Sequence, residues 1–430
     1  MIKKLLFIIF ITLAYFHAYS HVSALGWTQL TGTALVPSGL CPSGTSGDCS
    51  AVIEAWSGGV ADTLRNRLIF YGGGHGDYNG NEVYAIYPAG TTPVGIACSS
   101  GTAPAICRIK DRSASLQSVS APSCSLTADG TNMNSRHTYA SPSYLSGLDL
   151  LYTMGGSITC ATGAHFGDTW TLDLANITNN WIAKDPANGS GTKPRDICSG
   201  CGSSGQGPWV YAVWDSARQL VFTQSGLYPS QAGAYLWSWV PSTNTYAVTT
   251  ANALVSTYAS WVIDPLRHRL YIIGPDDCCS GGGPVSQMGT ARISYIDISS
   301  GGSYANTIVN LSGAGCNGLA GAPAPGVAYD SAIDRIVGWP NFGNTVYLFD
   351  PATGTCTTQT FSGGPPDSRN ASNSVSTTGT FGRFQYFPSL DTFVVVNDGS
   401  TDAYALSIAT PVATVLTGSA KLQGNAKLSN

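Results

Sequence analysis

The chain of 430 residues predicts an all-β fold, a single closed β-propeller of six four-stranded blades, and three observations carry that expectation. First, a hairpin-rich unit recurs along the whole chain, and such recurrence outranks any local signal. Its clearest copy is residues 62–87, DTLRNRLIFYGGGHGDYNGNEVYAIY: a tight polar turn, an apolar strand, a triple-glycine break with a polar loop, and a second strand. The other copies include LDLLYTMGG with DTWTLDL, DPLRHRLYIIG with ISYIDI, and DSAIDRIVGW with VYLFDP. Their first strands begin near Leu68, Leu151, Leu220, Leu270, Ile336 and Phe393, about 50 to 83 residues apart, which is the size of a blade with variable loops. Second, 51 Gly, 23 Pro and only 10% charged residues suit many short strands and disfavour long surface helices. Third, the strand-like piece that opens with Leu25, Gly26 and Trp27 has no neighbours beside it, while the last copy lacks a clear fourth strand. The two gaps fit one another. Trp27 would lie on the outer strand of the last blade, closing the ring and removing its open edges. Seven blades is the alternative, because residues 88–135 could hold a degenerate one.

At the N-terminus, Lys3 and Lys4, an apolar run and then Val22, Ser23 and Ala24 read as a secretory signal over residues 1–24, against a retained anchor. That leaves residues 25–408 for the propeller. Residues 409–430 form a polar tail with two GxAKLx units, read as a disordered end or the start of a stalk. Both leader charges are lysines, so cleavage takes the net charge from −4 to −6. A mildly acidic exported chain without a basic run disfavours nucleic acid and anionic membranes as partners. The expected product is a secreted or periplasmic monomer with no membrane insertion after cleavage.

Twelve cysteines in such a chain read as disulfides. Local pairing is the economical expectation: Cys41 with Cys49, Cys98 with Cys107, Cys124 with Cys160, Cys198 with Cys201, Cys278 with Cys279, and Cys316 with Cys356. Cys198, Cys201, Cys278 and Cys279 could instead form a four-thiolate zinc site.

The glycine pairs Gly72-Gly73 and Gly155-Gly156 and the strands NEVYAI, DTWTLDL and NTVYLFDP resemble kelch-type β-propellers, the superfamily of the galactose oxidase propeller. This resemblance implies four-stranded kelch-like blades over nearly the whole mature chain. Galactose oxidase would further imply copper, but no crosslinked Tyr-Cys pair is placed here, and no cofactor is expected.

In a meander, the loop entering the innermost strand and the loop joining the two middle strands emerge on one face. Most of the long loops fall there, which is where function tends to reside. Three clusters map to it. The first is His75, Asp77, Tyr78, Asn81 and Glu82 in GGGHGDYNGNE, with the glycines turning the backbone and leaving side chains exposed; Asn81 and Glu82 could merely cap a hairpin. The second is Ser135, Arg136, His137, Thr138 and Tyr139, with Arg195 and Arg369 at similar strand entries. Three arginines around one funnel would suit carboxylates or sulfates, unless they are framework arginines bonding loop carbonyls. The third is the segment from His165 to Asp168. His75, His137 and His165 with Asp77 also raise a manganese or zinc site, although no short fixed spacing supports one. Glu54 and Trp56, expected on an inner strand, could supply a carboxylate and a sugar-stacking ring, with core packing the plainer role for Trp56.

These residues support a secreted propeller that binds a glycan or another extracellular ligand in its funnel. The enzymatic alternative is a polysaccharide lyase acting on uronates by β-elimination, which needs a cation, a base and an acid. Arg136, His137, and Tyr139 or Tyr78 could fill those roles, in a manner similar to propeller-fold ulvan lyases. In that reading the catalytic set is His75, Arg136, His137 and Tyr139, with Asp77, Tyr78, Glu54, Arg195, Arg369 and His165 binding ligand. A structural envelope or virion protein is a third reading, drawn from the tail repeats alone.

Overall fold

A computed structural model describes residues 25–118, 126–158, 168–184, 210–225, 236–250, 258–275, 290–299, 304–366 and 379–408. The expected leader and tail, His165, Arg195, Arg369 and six of the cysteines lie outside these residues.

Six antiparallel blades surround a central channel of about 420 Å³. Their inner strands are Gly59–Asp62, Ser143–Leu145, Val210–Asp215, Ser260–Asp264, Gly326–Asp330 and Phe384–Phe387, and each touches the next around the full ring. Five of the blades have four strands. In the first, a two-residue strand, Ala97–Cys98, adds a fifth beside Ala105–Lys110, so the described residues between 88 and 135 extend blade 1 and lead into blade 2 without forming a seventh blade.

Closure follows the expected route. Gly26–Gln29 pairs antiparallel with Tyr404–Ser407 as the outer strand of the sixth blade, with Trp27 opposite Leu406. Trp27 is buried and meets Trp339 of the fifth blade edge-on, with centroids 5.7 Å apart. The N-terminal strand therefore joins the first and last parts of the chain and covers an edge that would otherwise invite intermolecular pairing.

The short turns after the inner strands share one construction. Asp62, Asp215, Asp264 and Asp330 end their strands and accept backbone N–H groups from the turn. The residue completing each turn has left-handed φ: Asn66, Asp149, Gln219, His268, Asp334 and Asp391 all lie between 47° and 55°. Asp and Asn tolerate this region well. Two turns are clasped to the next blade by bidentate pairs, Arg65 on Asp149 and Arg267 on Asp334.

Local structure differs from expectation at two places. Glu54 lies in a one-turn helix, Ala51–Glu54, that precedes the inner strand. Tyr78 is fully buried, because the loop that carries it folds back onto blade 1. Disulfides Cys41–Cys49, Cys98–Cys107 and Cys316–Cys356 form as expected and fit an oxidising, non-cytosolic compartment. No helix among the described residues is long and apolar enough to cross a membrane.

Candidate functional site

Two loops build the site. Residues 72–82 join the second and third strands of blade 1, and residues 134–139 lead into the inner strand of blade 2. The entry segment is held by a short ladder, with Arg136–His137 antiparallel to Ser157–Ile158. Ser135 Oγ donates to the Gly72 carbonyl at 2.9 Å, and the Gly58 amide donates to Thr138 Oγ1 at 2.7 Å. The approach is close enough that a Cβ on Gly74 would collide with the Arg136 backbone. Backbone contact is the reason for that glycine.

His137 and His75 come together as expected. Their rings stack with centroids 5.4 Å apart, and the Trp56 ring lies 4.9 Å from His137. His137 is 2% exposed, whereas His75 and Asp77 are open to solvent. His137 Nε2 lies 2.7 Å from Asp77 Oδ2. A carboxylate can only accept, so the ring donates. His75, Trp56 and Tyr139 have φ of 52°, 45° and 46°, so three of the residues around His137 take up a conformation that L-residues rarely adopt.

Burial is the largest influence on the His137 pKa and drives it down; the bond and charge of Asp77 and a hydrogen bond to the Gly74 backbone oppose the fall, and His75 adds to it. A group depressed in the folded state binds fewer protons there than in the unfolded chain. Its contribution to stability is therefore present above the ordinary histidine value and lost as pH falls from there through the depressed folded value. Acidification from pH 7.5 to 5 is expected to lower the hydrogen-exchange protection factors of residues 72–82, after correction for the slower intrinsic exchange at low pH, by at most about 1.4 kcal/mol of local stability per pH unit. His137→Gln should flatten that dependence. An equally steep response in the variant would place the titration elsewhere.

The other candidate residues are committed to the framework. Arg136 is fully buried and forms a bidentate pair with Asp168, at 2.8 and 3.2 Å, while also donating to the Gly155 carbonyl. It presents no free guanidinium to the funnel. Tyr139 is 4% exposed, meets His137 and Phe381 edge-on, and its amide donates to the Trp56 carbonyl at 2.7 Å. Tyr78 donates to Glu82 Oε1 at 2.6 Å, and Tyr84 reaches the same oxygen at 3.0 Å. Glu82 is therefore a buried carboxyl, its pKa raised chiefly by burial, and does not cap a hairpin. Asn81 does tie loops together, donating to the Met133 carbonyl and accepting from the Ser113 amide. Glu54 accepts the Gly399 amide at 2.9 Å in blade 6, and burial raises its pKa. Among the described residues, no three His, Cys, Asp or Glu side chains are placed to hold a metal ion.

Two features went unread in the sequence. Arg383 is wholly buried at the junction of blades 6 and 1, bonded to the carbonyls of Ser57, Val396 and Gly379 and to Asn397 Oδ1. A collar of large residues also precedes the inner strands. Trp56, Tyr139, Tyr258 and Phe381 each stand six positions before the end of one. That second repeat was available as a signal, because Trp209 continues its spacing.

The topology and the site define a six-bladed β-propeller with a cluster of aromatic and histidine rings on its long-loop face. No protein-family model matches the chain, and no curated protein matches it in sequence. Among solved structures, a chain of a nidogen/laminin complex is similar at 8% identity and a TM-score of 0.37, over 71% of this chain and 79% of that one. TolB from Acinetobacter baumannii is similar at 10% identity and a TM-score of 0.34, over 63% of this chain and 53% of that one. Neither similarity singles out the kelch type.

Proposed function

We propose that the protein is an extracellular binding propeller that holds a glycan against His75 and Asp77 on the long-loop face. The observation that carries this reading is the three-ring stack of Trp56, His137 and His75. Its outermost ring is solvent-exposed and stands beside an exposed carboxylate. Ring faces and carboxylates are the groups that recognise the apolar face and the hydroxyls of a sugar. A signal over residues 1–24, secretion and a monomeric state belong to the same proposal, and the three disulfides support an exported chain.

The Asp77–His137 hydrogen bond favours a second reading, because an exposed carboxylate held in place by an imidazole is also a general base. For a lyase, the cation opposite the substrate carboxylate would have to come from a residue other than Arg136. The test is one panel of polysaccharides, scored for binding and for absorbance of a new double bond. Binding without product, weakened about tenfold by His75→Ala, is the expected result, since a stacking ring contributes roughly 1–1.5 kcal/mol. Product formation that falls roughly 10²- to 10⁴-fold in His137→Ala would establish the lyase instead.

A further inference from the structure

Asp77 has an asymmetric environment. Its Oδ2 receives His137 Nε2, while Oδ1 takes no hydrogen bond from any described residue, and the side chain is 46% exposed. The carboxylate therefore presents one oxygen to solvent at the edge of the exposed His75 ring. Among the described residues, no arginine or lysine pairs with it. Arg136 is neutralised by Asp168, and Arg383 is enclosed by blade 6 and Ser57. A second acidic residue adjoins it: the Asp48 amide donates to the Asp77 carbonyl, and Asp48 is exposed. Arg112, on the adjoining segment, has its Nε turned to the Ser43 carbonyl.

We infer that the site takes an uncharged sugar residue, with its C–H face on His75 and its hydroxyls donating to Asp77, and that Asp77 excludes uronates and sulfated sugars. The inference rests on the glycan reading above and gives it a ligand class. A hydroxyl pair gains a charge-assisted acceptor from the second carboxylate oxygen, whereas a sugar carboxylate at the same place would meet like charge with no unpaired cation beside it among the described residues.

The test measures the full chain against a neutral glucan, a galactan, a polyuronate and a sulfated galactan at low and high salt, in wild type, Asp77→Asn and His75→Ala. Thermal unfolding of each variant would establish that it is folded. The expected result is binding of a neutral glycan that is insensitive to salt and weakened about tenfold by Asp77→Asn, because an amide accepts roughly half as strongly as a carboxylate. His75→Ala, which removes an exposed ring, should weaken it similarly. Selective binding of the polyuronate or sulfated glycan, tightened or unchanged in Asp77→Asn, would overturn the inference while leaving the glycan reading in place. Absence of binding to all four would overturn both.

Discussion

Removal of residues 25–30 is expected to leave a chain that aggregates or stays partly unfolded at 37 °C. The deletion strips the Gly26–Gln29 ladder from Tyr404–Ser407 and the bond from the Leu30 amide to the Ala403 carbonyl. It also removes Trp27 from its place against Trp339. Losing a buried tryptophan costs about 3–5 kcal/mol. Each ladder bond adds roughly 1 kcal/mol, and the sum approaches the whole margin of about 5–15 kcal/mol. The exposed edge of Tyr404–Ser407 then offers a pairing template to other chains. Size-exclusion chromatography and melting curves would register the loss, and a synthetic peptide spanning residues 25–34 should restore part of it. A monomeric deletion protein that melts with the wild type would show that the ring closes without this strand.

Arg136→Ala is expected to destabilise the protein by about 3–5 kcal/mol, the cost of leaving one member of a buried pair alone. For a chain of this size, that loss lowers the melting temperature by something on the order of 10 °C. Asp168 would keep the Trp170 indole, at 2.5 Å, but lose both guanidinium bonds. The Gly155 carbonyl would lose its donor as well. Arg136→Met, which restores bulk without charge, should recover little, because the orphaned acceptors remain. An arginine serving an anionic ligand would behave in the opposite way, with unchanged melting and lost affinity. Denaturant titration and glycan binding on the same variants separate the two roles.

The repeat period, the closing strand and the three local disulfides were legible because each is written in residues near one another or in a pattern that recurs. LIFY and NEVYAI announce two strands of a blade without reference to the rest of the chain. The meeting of His75 with His137 was also within reach, since a middle-strand loop and an inner-strand entry in successive blades must open on one face. Whether a polar side chain points into the funnel or into the framework is a different kind of question. Tyr78, two positions from exposed Gly76, turns into blade 1 because Glu82 lies beneath it.

Periodicity and composition by themselves determined the propeller architecture, the order of its blades and the strand that shuts the ring, while the choice of six blades over seven came from the structure. Only the tertiary structure decided which polar side chains are already partnered within the framework. Arg136 and His137 are adjacent in sequence, and both are buried. One is cancelled by Asp168, from the loop of its own blade; the other is shared with Asp77 and stacked under His75, from the blade before. The physical reason is that a buried polar or charged group must find its partner in space. Those partners stand 32 and 60 positions away along the chain, a separation that no local pattern encodes.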